Sequence, residues 1–370
     1  MNHPPGNDRR FSLLDALFPA GLLAVAACSG TPSAASNDDG GSGTEVADSG
    51  EASDGPAATT TDGGASTADV QCDYAYSGFN SSASVEKTST TRWSCTSTLR
   101  SVAANGIPDH PTGTFPNANN PNAISEQTVA ASMTLTPVET GTATTINIVG
   151  YAFNGVKFDP STAGTCGVTN GTTSCTLLGS DGTWTIEALG QSSFDFGVDD
   201  NNAHVQPNGA YHYHGMPEGI LTKLGKGMAP TLVGYALDGF PVYARYGYTT
   251  PTDATSEVKV LESSYKVKST PDSGRPPVAS YPMGAFTQDY EYVAGAGDLD
   301  ECNGRTDVTP EFPKGIYHYY ITDSYPFIQR CVKGTPMGGG EGGGDGGMMG
   351  PPGPGGDGGM MGPPPPPDGG

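Results

Sequence analysis

The sequence predicts one large, loop-rich, mainly β domain, sandwich-like or built from paired sheets. Short β-branched or alternating runs, such as Thr144 to Val149 and Thr183 to Ala188, are typical of strands. Dipeptides such as Asn154-Gly155 and Asp238-Gly239 are typical of the turns between strands. No long stretch has the apolar period of an amphipathic helix, so strands and turns should dominate the domain.

Other strands are predicted in order along the chain. Val129 to Thr136 comes first, Tyr211 to His214 and Gly234 to Tyr243 follow, and Glu257 to Leu261 is a weaker candidate. Composition sets the limits of the domain at residues 72–336, because the segments on both sides lack the large apolar side chains of a core.

Residues 1–27 are typical of a lipoprotein signal peptide. Arg9-Arg10 precedes an apolar run, Ala16 to Ala27, which is too short to span a bilayer and ends directly before Cys28. Cys28 would then be the acylated first residue, and Ser29 after it favours the outer membrane of a bacterial cell envelope. The competing interpretation is an ordinary secretory signal with a coincidental cysteine.

Two low-complexity segments flank the predicted domain. Residues 28–71 consist mostly of Ser, Thr, Ala, Gly and Asp, and residues 337–370 of Gly, Pro, Asp and Met. Neither segment carries enough apolar surface to fold, so the first is predicted to be a disordered tether and the second a disordered tail. No second apolar span follows the signal peptide, which leaves the lipid as the predicted membrane attachment.

The net charge of -22, with only 17 basic residues, argues against a nucleic-acid partner, because phosphates would be repelled. Cationic partners fit this charge better. Much of the acidity lies in the tether and in polar loops, however, where it also serves solubility.

The cysteine count is consistent with export. Without Cys28, an even number of cysteines remains, and an even number of cysteines in an exported chain predicts disulfide bonds. Its spacing favours three local pairs, which are Cys72 with Cys95, Cys166 with Cys175, and Cys302 with Cys331. A thiolate metal site is disfavoured because no C-x-x-C motif occurs.

A repeated motif is the main functional signal. Tyr211-His212-Tyr213-His214 follows a Pro-x-Gly, and Tyr317-His318-Tyr319-Tyr320 follows another. The repeat predicts two related strands that frame one site. On a strand, His212 and His214 project from one face with roots about 7 Å apart, so both rings can reach one metal ion. The structural alternative is a set of histidines hydrogen-bonded in a polar β core.

The candidate metal ligands are the histidines in or near these motifs. The first-rank ligands are His204, His212, His214 and His318. The second-rank candidates are His110, Asp199, Asp238 and Asp300. The tyrosines that flank the motif histidines are Tyr211, Tyr213, Tyr317 and Tyr319.

Imidazole ligands suit copper, zinc, iron or nickel, whereas the acidic loops keep calcium open. Copper is favoured over zinc and iron for two reasons. The tail contains the methionine pairs Met348-Met349 and Met360-Met361, whose thioethers are soft ligands for Cu(I); the alternative, which the composition favours, is a low-complexity tail whose methionines have no role. Tyrosines, which are common redox neighbours of copper, lie next to the histidines.

Several long segments resemble the YHYH domain family. They include Asn154-Gly155-Val156-Lys157-Phe158-Asp159-Pro160, Tyr211 to Gly215, Gly234 to Tyr243, and Glu301-Cys302-Asn303-Gly304-Arg305. The resemblance covers most of residues 100–335. It implies an exported, cysteine-bridged YHYH architecture and carries no established activity with it.

Three functional hypotheses follow, from different classes. The leading one is a metal-binding domain with redox chemistry at the flanking tyrosines. The second is a non-enzymatic recognition module for envelope glycans or proteins. The third is a metal-assisted hydrolase in which an Asp is the base and one coordination position is open.

Overall fold

The computed structural model describes residues 72–341 of the 370-residue chain. The predicted signal peptide, Cys28, the tether up to residue 71 and the methionine pairs of the tail lie outside these residues. Within the described part of the chain, no helix has both the length and the apolar character needed to cross a membrane.

The described residues form mainly short strands, with one α-helix, α1 (Glu218–Leu224), and one 3-10 turn, Thr287–Asp289. The prediction of a mainly β fold is therefore confirmed. In chain order the strands are β1 (Asp73–Asn80), β2 (Lys87–Cys95), β3 (Leu99–Ala104), β4 (Val129–Thr134), β5 (Thr144–Thr145), β6 (Gly150–Ala152), β7 (Lys157–Phe158), β8 (Thr165–Thr169), β9 (Thr172–Thr176), β10 (Trp184–Thr185), β11 (Ala203–Val205), β12 (Tyr211–Tyr213), β13 (Thr231–Ala236), β14 (Pro241–Ala244), β15 (Tyr246–Tyr248), β16 (Val258–Val260), β17 (Tyr265–Val267), β18 (Tyr290–Tyr292), β19 (Gly304–Asp307), β20 (Ile316–Ile321), β21 (Cys331–Val332) and β22 (Gly339–Glu341).

Two sheets contain most of the longer strands. The larger has eight strands in the order β11-β12-β7-β6-β13-β14-β20-β19, and the second has five in the order β1-β2-β3-β4-β22. A three-stranded sheet, β10-β8-β9, and three strand pairs complete the structure. The last strand, β22, lies within the segment that the sequence assigned to the tail.

One core lies between the two large sheets. Trp93 of the five-stranded sheet is fully buried, and its indole packs 5.8 Å from the ring of Tyr235 in the eight-stranded sheet. Its Nε1 also donates a 3.0 Å hydrogen bond to the carbonyl of Phe153. Tyr151 and Met133 pack in the same core. Trp93 thus fills the interface with apolar area while its only polar group is satisfied.

A second core covers the opposite face of the eight-stranded sheet. Phe158, Tyr213 and Tyr319 from the sheet pack there with Ile107 and Val332, which come from outside the sheet. All residues of β6, β13 and β14 are consequently buried. Strands that are covered on both faces give continuous apolar runs instead of an alternating pattern.

The segment Gly234 to Tyr243 is a hairpin and not the single strand that the sequence predicted. Strands β13 and β14 pair antiparallel on either side of Asp238-Gly239. Gly239 has a φ of +93°, a conformation that side-chain-bearing residues rarely adopt, so this dipeptide forms the turn. The strand predicted over Thr144 to Val149 is also different in the structure, where only the first two residues form a strand, β5.

The three disulfides join the local pairs that the spacing favoured. Cys72 is bonded to Cys95, Cys166 to Cys175, and Cys302 to Cys331. The first two link neighbouring antiparallel segments, and the third ties the turn before β19 to β21. Each bridge closes a short loop in the loop-rich domain, which limits the freedom of the unfolded chain.

Candidate functional site

Three histidines meet at one edge of the eight-stranded sheet. His204 of β11 lies directly opposite His212 of β12, and His214 follows at the end of β12. The Nε2 atom of His214 lies 2.9 Å from that of His212 and 3.0 Å from that of His204. Strand alternation places these rings on one face of the sheet and those of Tyr211 and Tyr213 on the other. We call His204, His212 and His214 the histidine triad.

Backbone carbonyls orient two of the three rings. The Nδ1 atom of His204 lies 3.0 Å from the carbonyl of Phe196, and that of His212 lies 3.2 Å from the carbonyl of Ala210. A carbonyl can only accept, so each Nδ1 carries the proton and each Nε2 directs a lone pair into the triad. The buried Nδ1 of His214 has no partner in hydrogen-bonding geometry, although the Pro160 carbonyl acts on its pKa in the raising direction.

The triad is held in its neutral form. His212 and His214 are each 2 % exposed, and His204 is partly buried. Burial lowers the pKa of all three imidazoles, most strongly those of His212 and His214; His204 lowers the pKa of both of these further, and His214 lowers that of His212. Neutral imidazole is the form that binds metal ions, so the triad is competent at neutral pH.

The triad could hold a metal ion. An ion at about 2.0–2.1 Å from three imidazole nitrogens separates those nitrogens by about 3.3–3.6 Å. The observed separations of 2.9 and 3.0 Å are slightly smaller, so small ring movements would admit an ion. Within the described residues the cluster consists of three histidines without a carboxylate, a donor set that suits transition metals and not calcium.

His318 lies away from the triad. Its strand, β20, is seventh in the sheet order, whereas β12 is second. The Nδ1 atom of His318 lies 2.9 Å from the carbonyl of Ile316, and its Nε2 lies 2.7 Å from Oδ1 of Asp307, although that contact is off the regular hydrogen-bond direction. The sequence predicted that the two Tyr-His-Tyr strands frame one site. This prediction is wrong, because four strands separate them in the sheet.

The second-rank candidates hold the flanking tyrosines on the face opposite the triad. The hydroxyl of Tyr213 lies 2.5 Å from Nε2 of His110. The other three tyrosines each donate to a carboxylate, in the pairs Tyr211 to Asp199 at 2.7 Å, Tyr317 to Asp300 at 2.9 Å, and Tyr319 to Asp238 at 2.6 Å. None of these four partners belongs to the described histidine cluster.

These contacts keep the tyrosine hydroxyls protonated. Burial raises the pKa of Tyr211, and the neighbouring Asp199 carboxylate raises it further. Burial raises the pKa of Tyr213 in the same way. Burial also raises the pKa of Asp238, while the Tyr319 hydroxyl acts against it. The tyrosines thus fasten the strands to the core behind the histidines.

Two cations near the triad, one buried and one partly buried, were not predicted as site residues. Lys157 of β7 lies directly across from His212, its side chain is 3 % exposed, and its Nζ donates to Gln206 at 2.7 Å. Arg330 donates to Glu187 at 2.6 Å. Lys157 lowers the pKa of His212 and His214, and Arg330 lowers that of His214. A lysine in a polar turn segment looks like a surface residue in the sequence, and only the parallel β7–β12 pairing brings it to the site.

Comparisons with known proteins agree with the architecture. The family model described as "YHYH protein" matches residues 130–334, which is more than half of the chain and includes both Tyr-His-Tyr strands. Searches of curated proteins and of solved structures found no match to this chain. Because this match covers more than half of the chain, the chain belongs to the YHYH protein family.

Proposed function

We propose that this domain binds a transition metal ion, with copper favoured, through His204, His212 and His214. The observation that carries the proposal is the convergence of three buried or partly buried Nε2 atoms at separations of 2.9 and 3.0 Å. Hydrogen-bonded neutral histidines in a polar core normally pair a donor with an acceptor. Here two Nε2 lone pairs are directed into the cluster, which a cation would stabilise.

The charge around the triad supports Cu(I) over a divalent ion. The three ligands are neutral, and Lys157 and Arg330 add positive charge beside His212 and His214, partly offset by their carboxylate neighbours Asp159 and Glu187 and by Asp199, which acts on His204. A monovalent ion adds less charge to this buried site than a divalent one does. Imidazole nitrogen is an accepted ligand for copper, and zinc is the next candidate for the same donor set.

Elemental analysis tests the proposal. The full chain, purified without a metal-affinity tag, should contain about one equivalent of copper after incubation with Cu(I) under reducing conditions that leave the disulfides intact. The variant His212→Ala/His214→Ala should contain none. His318→Ala is the control, because it removes a buried histidine from the same motif position outside the triad. A folded wild-type protein without copper, zinc or iron after incubation with each ion would refute the proposal.

We also propose that the domain is exported and anchored to the cell envelope by a lipid on Cys28, with the outer membrane favoured. The three disulfides support an oxidising compartment. Cell fractionation tests the anchor: Cys28→Ala should move the protein from the membrane fraction to the soluble fraction. If the variant remains in the membrane fraction as the wild type does, Cys28 is not the anchor.

A recognition module for envelope glycans or proteins is the second candidate, and one cleft favours it. The cleft has a volume of about 620 Å³ and is lined by Tyr265, Tyr290, Tyr325 and Phe327 together with Asp323. Aromatic faces beside polar groups are suited to sugar rings and to peptide side chains. Binding of envelope glycans that survives exhaustive chelation, and is lost in Tyr265→Ala, would favour this candidate.

A further inference from the structure

The eight-stranded sheet has an internal two-fold relation. Its central strands, β6 and β13, pair antiparallel with Tyr151 directly opposite Tyr235. Each tyrosine lies in a Gly-Tyr-Ala sequence that continues through an Asx-Gly turn into the next strand, in Gly150 to Phe158 and in Gly234 to Val242. The strands then follow in the same order on both sides, β7-β12-β11 on one and β14-β20-β19 on the other.

The pairing directions repeat as well. Strand β12 runs parallel to β7 and antiparallel to β11, and β20 runs parallel to β14 and antiparallel to β19. Tyr213 lies opposite Phe158 in the first half, and Tyr319 lies opposite Val242 in the second. A two-fold axis of this kind leaves equivalent side chains on the same face of the sheet.

Side-chain contacts match between the halves. Asn154 donates to the Tyr213 hydroxyl at 3.0 Å, and Asp238, at the equivalent turn position, accepts from the Tyr319 hydroxyl at 2.6 Å. The hydrogen bonds of Tyr211 to Asp199 and of Tyr317 to Asp300 are a second equivalent pair. Repetition of both contacts shows that the scaffold behind the YHYH strand is present twice.

The turns before β11 and β19 also correspond. The amide of Asn202 donates to the carbonyl of Asp199, and the amide of Asn303 donates to that of Asp300, both at 3.0 Å. The two asparagines have φ values of +53° and +58°, in the left-handed region. Asparagine tolerates this region better than most residues do, which accounts for the same residue at both positions.

The equivalence identifies what the second half has in place of the triad. His204 faces His212 across the first hairpin, and Arg305 faces His318 across the second. Counting along the paired strands, Gln206 corresponds to Asp307 and His214 to Tyr320. One histidine of the triad is therefore retained in the second half, and two are replaced.

The replaced residues close the second half around one carboxylate. Nε of Arg305 donates to Oδ2 of Asp307 at 2.7 Å, and the Tyr320 hydroxyl lies 3.1 Å from the same oxygen. His318 approaches Oδ1 of Asp307 at 2.7 Å. Asp307 and His318 are 2 % and 0 % exposed. The Nδ1 atom of His318 donates to the Ile316 carbonyl, and Oδ1 of Asp307 lies against its Nε2, so a metal ion could reach this ring only by displacing Asp307, whose charge the Arg305 guanidinium balances.

We propose that the YHYH domain consists of two equivalent halves, and that the second half is a latent transition-metal site closed by the Arg305–Asp307 ion pair. The class of ion rests on the function proposed for the first half. The equivalence of the halves rests on the pairings and contacts above and does not depend on that function. Giving the second half the residues of the first should reopen it.

The test transfers the triad to the second half. The substitutions Arg305→His, Asp307→Gln and Tyr320→His are introduced into full-length His212→Ala/His214→Ala, so that the first site is absent. Elemental analysis after incubation with Cu(I), and separately with Zn(II), should find about one ion per chain, against none in the background variant. A folded variant without metal would overturn the latent site.

The outcome is distinguishable from failure of the proposed function. If the wild-type chain binds no metal while the reopened second half does, the proposed function fails and the latent site stands. If the wild type binds one equivalent and the folded, reopened variant binds none, the latent site fails alone. Circular dichroism and the thermal midpoint establish that each variant is folded.

A reverse transfer covers the case in which the reopened variant does not fold. His204→Arg/Gln206→Asp/His214→Tyr gives the first half the residues of the closed second half. If the two halves are equivalent, this variant should fold and should bind no metal. Its thermal midpoint, measured in chelator, should be no lower than that of the metal-free wild type. Loss of the folded state would contradict the equivalence, because the scaffold of the first half would then not accept the second half's residues.

Discussion

Cu(I) binding should raise the free energy of unfolding of the full chain by about 2.7 kcal/mol when the free ion exceeds its Kd by 100-fold. For a domain of this size, that increment corresponds to a rise of about 5–10 °C in the thermal midpoint. Differential scanning calorimetry of metal-free and metal-loaded protein measures it. His212→Ala/His214→Ala should show no rise, whereas His318→Ala should rise as the wild type does.

The physical reason lies in the facing lone pairs. With Nδ1 of His204 and His212 donating to carbonyls, their Nε2 atoms are acceptors, and His214 can place only one proton between them. At least one Nε2 lone pair is therefore left without a hydrogen in a cluster whose two short Nε2–Nε2 contacts are 2.9 and 3.0 Å long. A cation satisfies all three nitrogens together, which is why the folded state should bind it far better than the unfolded chain.

The pH dependence of stability and of metal binding provides a further check that the histidine triad is the binding site. Burial lowers the pKa of His110, His204, His212 and His214 in the folded state, so the unfolded chain takes up protons first as the pH falls. The stability of the metal-free protein should be full above the unfolded value of about 6.5 and should decline as the pH drops below it. Protons also compete with the ion for Nε2, but burial holds the pKa of His212 and His214 well below its usual value, so the metal increment should persist to a lower pH than the full stability of the metal-free protein does. A metal-induced rise in the thermal midpoint that already shrinks as the pH falls through about 6.5 would argue that the ion binds elsewhere, at histidines with an ordinary pKa.

The sequence predicted the local parts of this site and missed the long-range ones. Strand alternation predicts correctly that His212 and His214 share a face, because that relation depends only on residues two apart. The Asp238-Gly239 dipeptide marks the turn of a hairpin, yet the apolar run around it suggested one strand. The run continues through the turn because both of its strands are buried on both faces.

The position of His318 could not be predicted in the same way. Its local motif is nearly identical to that of His212, but its surroundings come from Arg305 and Asp307 on the neighbouring strand. Which strand lies beside which is decided by the sheet order, and this order places the two motifs near opposite edges. A repeated motif therefore indicated two related strands, whereas the inference that they share one site required contacts that the pattern does not contain.

The two halves also provide a matched pair of substitutions for the residues behind the triad. Asp199→Asn in the first half should weaken metal affinity by about 10–100-fold, the effect typical of residues that orient ligands without touching the metal. Oδ2 of Asp199 accepts from the Tyr211 hydroxyl at 2.7 Å and from the amide of Gly113 at 3.0 Å. In Asp199→Asn, an NH2 group replaces one carboxylate oxygen and faces groups that are themselves hydrogen-bond donors, so hydrogen bonds are lost. The turn leading to His204 and the strand carrying His212 then lose their fixed positions.

Asp300→Asn is the control, because Asp300 makes the equivalent bond to Tyr317 at 2.9 Å in the second half. Both substitutions should lower the free energy of unfolding by about 1–3 kcal/mol through the disrupted hydrogen bonds. Only Asp199→Asn should also weaken affinity, measured by competition with a chromogenic Cu(I) chelator. Equal losses of affinity in the two variants would mean that the effect is a general consequence of destabilisation. A loss confined to Asp199→Asn would locate the ion at the triad and show that the tyrosine-carboxylate bond behind the strand holds the ligands in place.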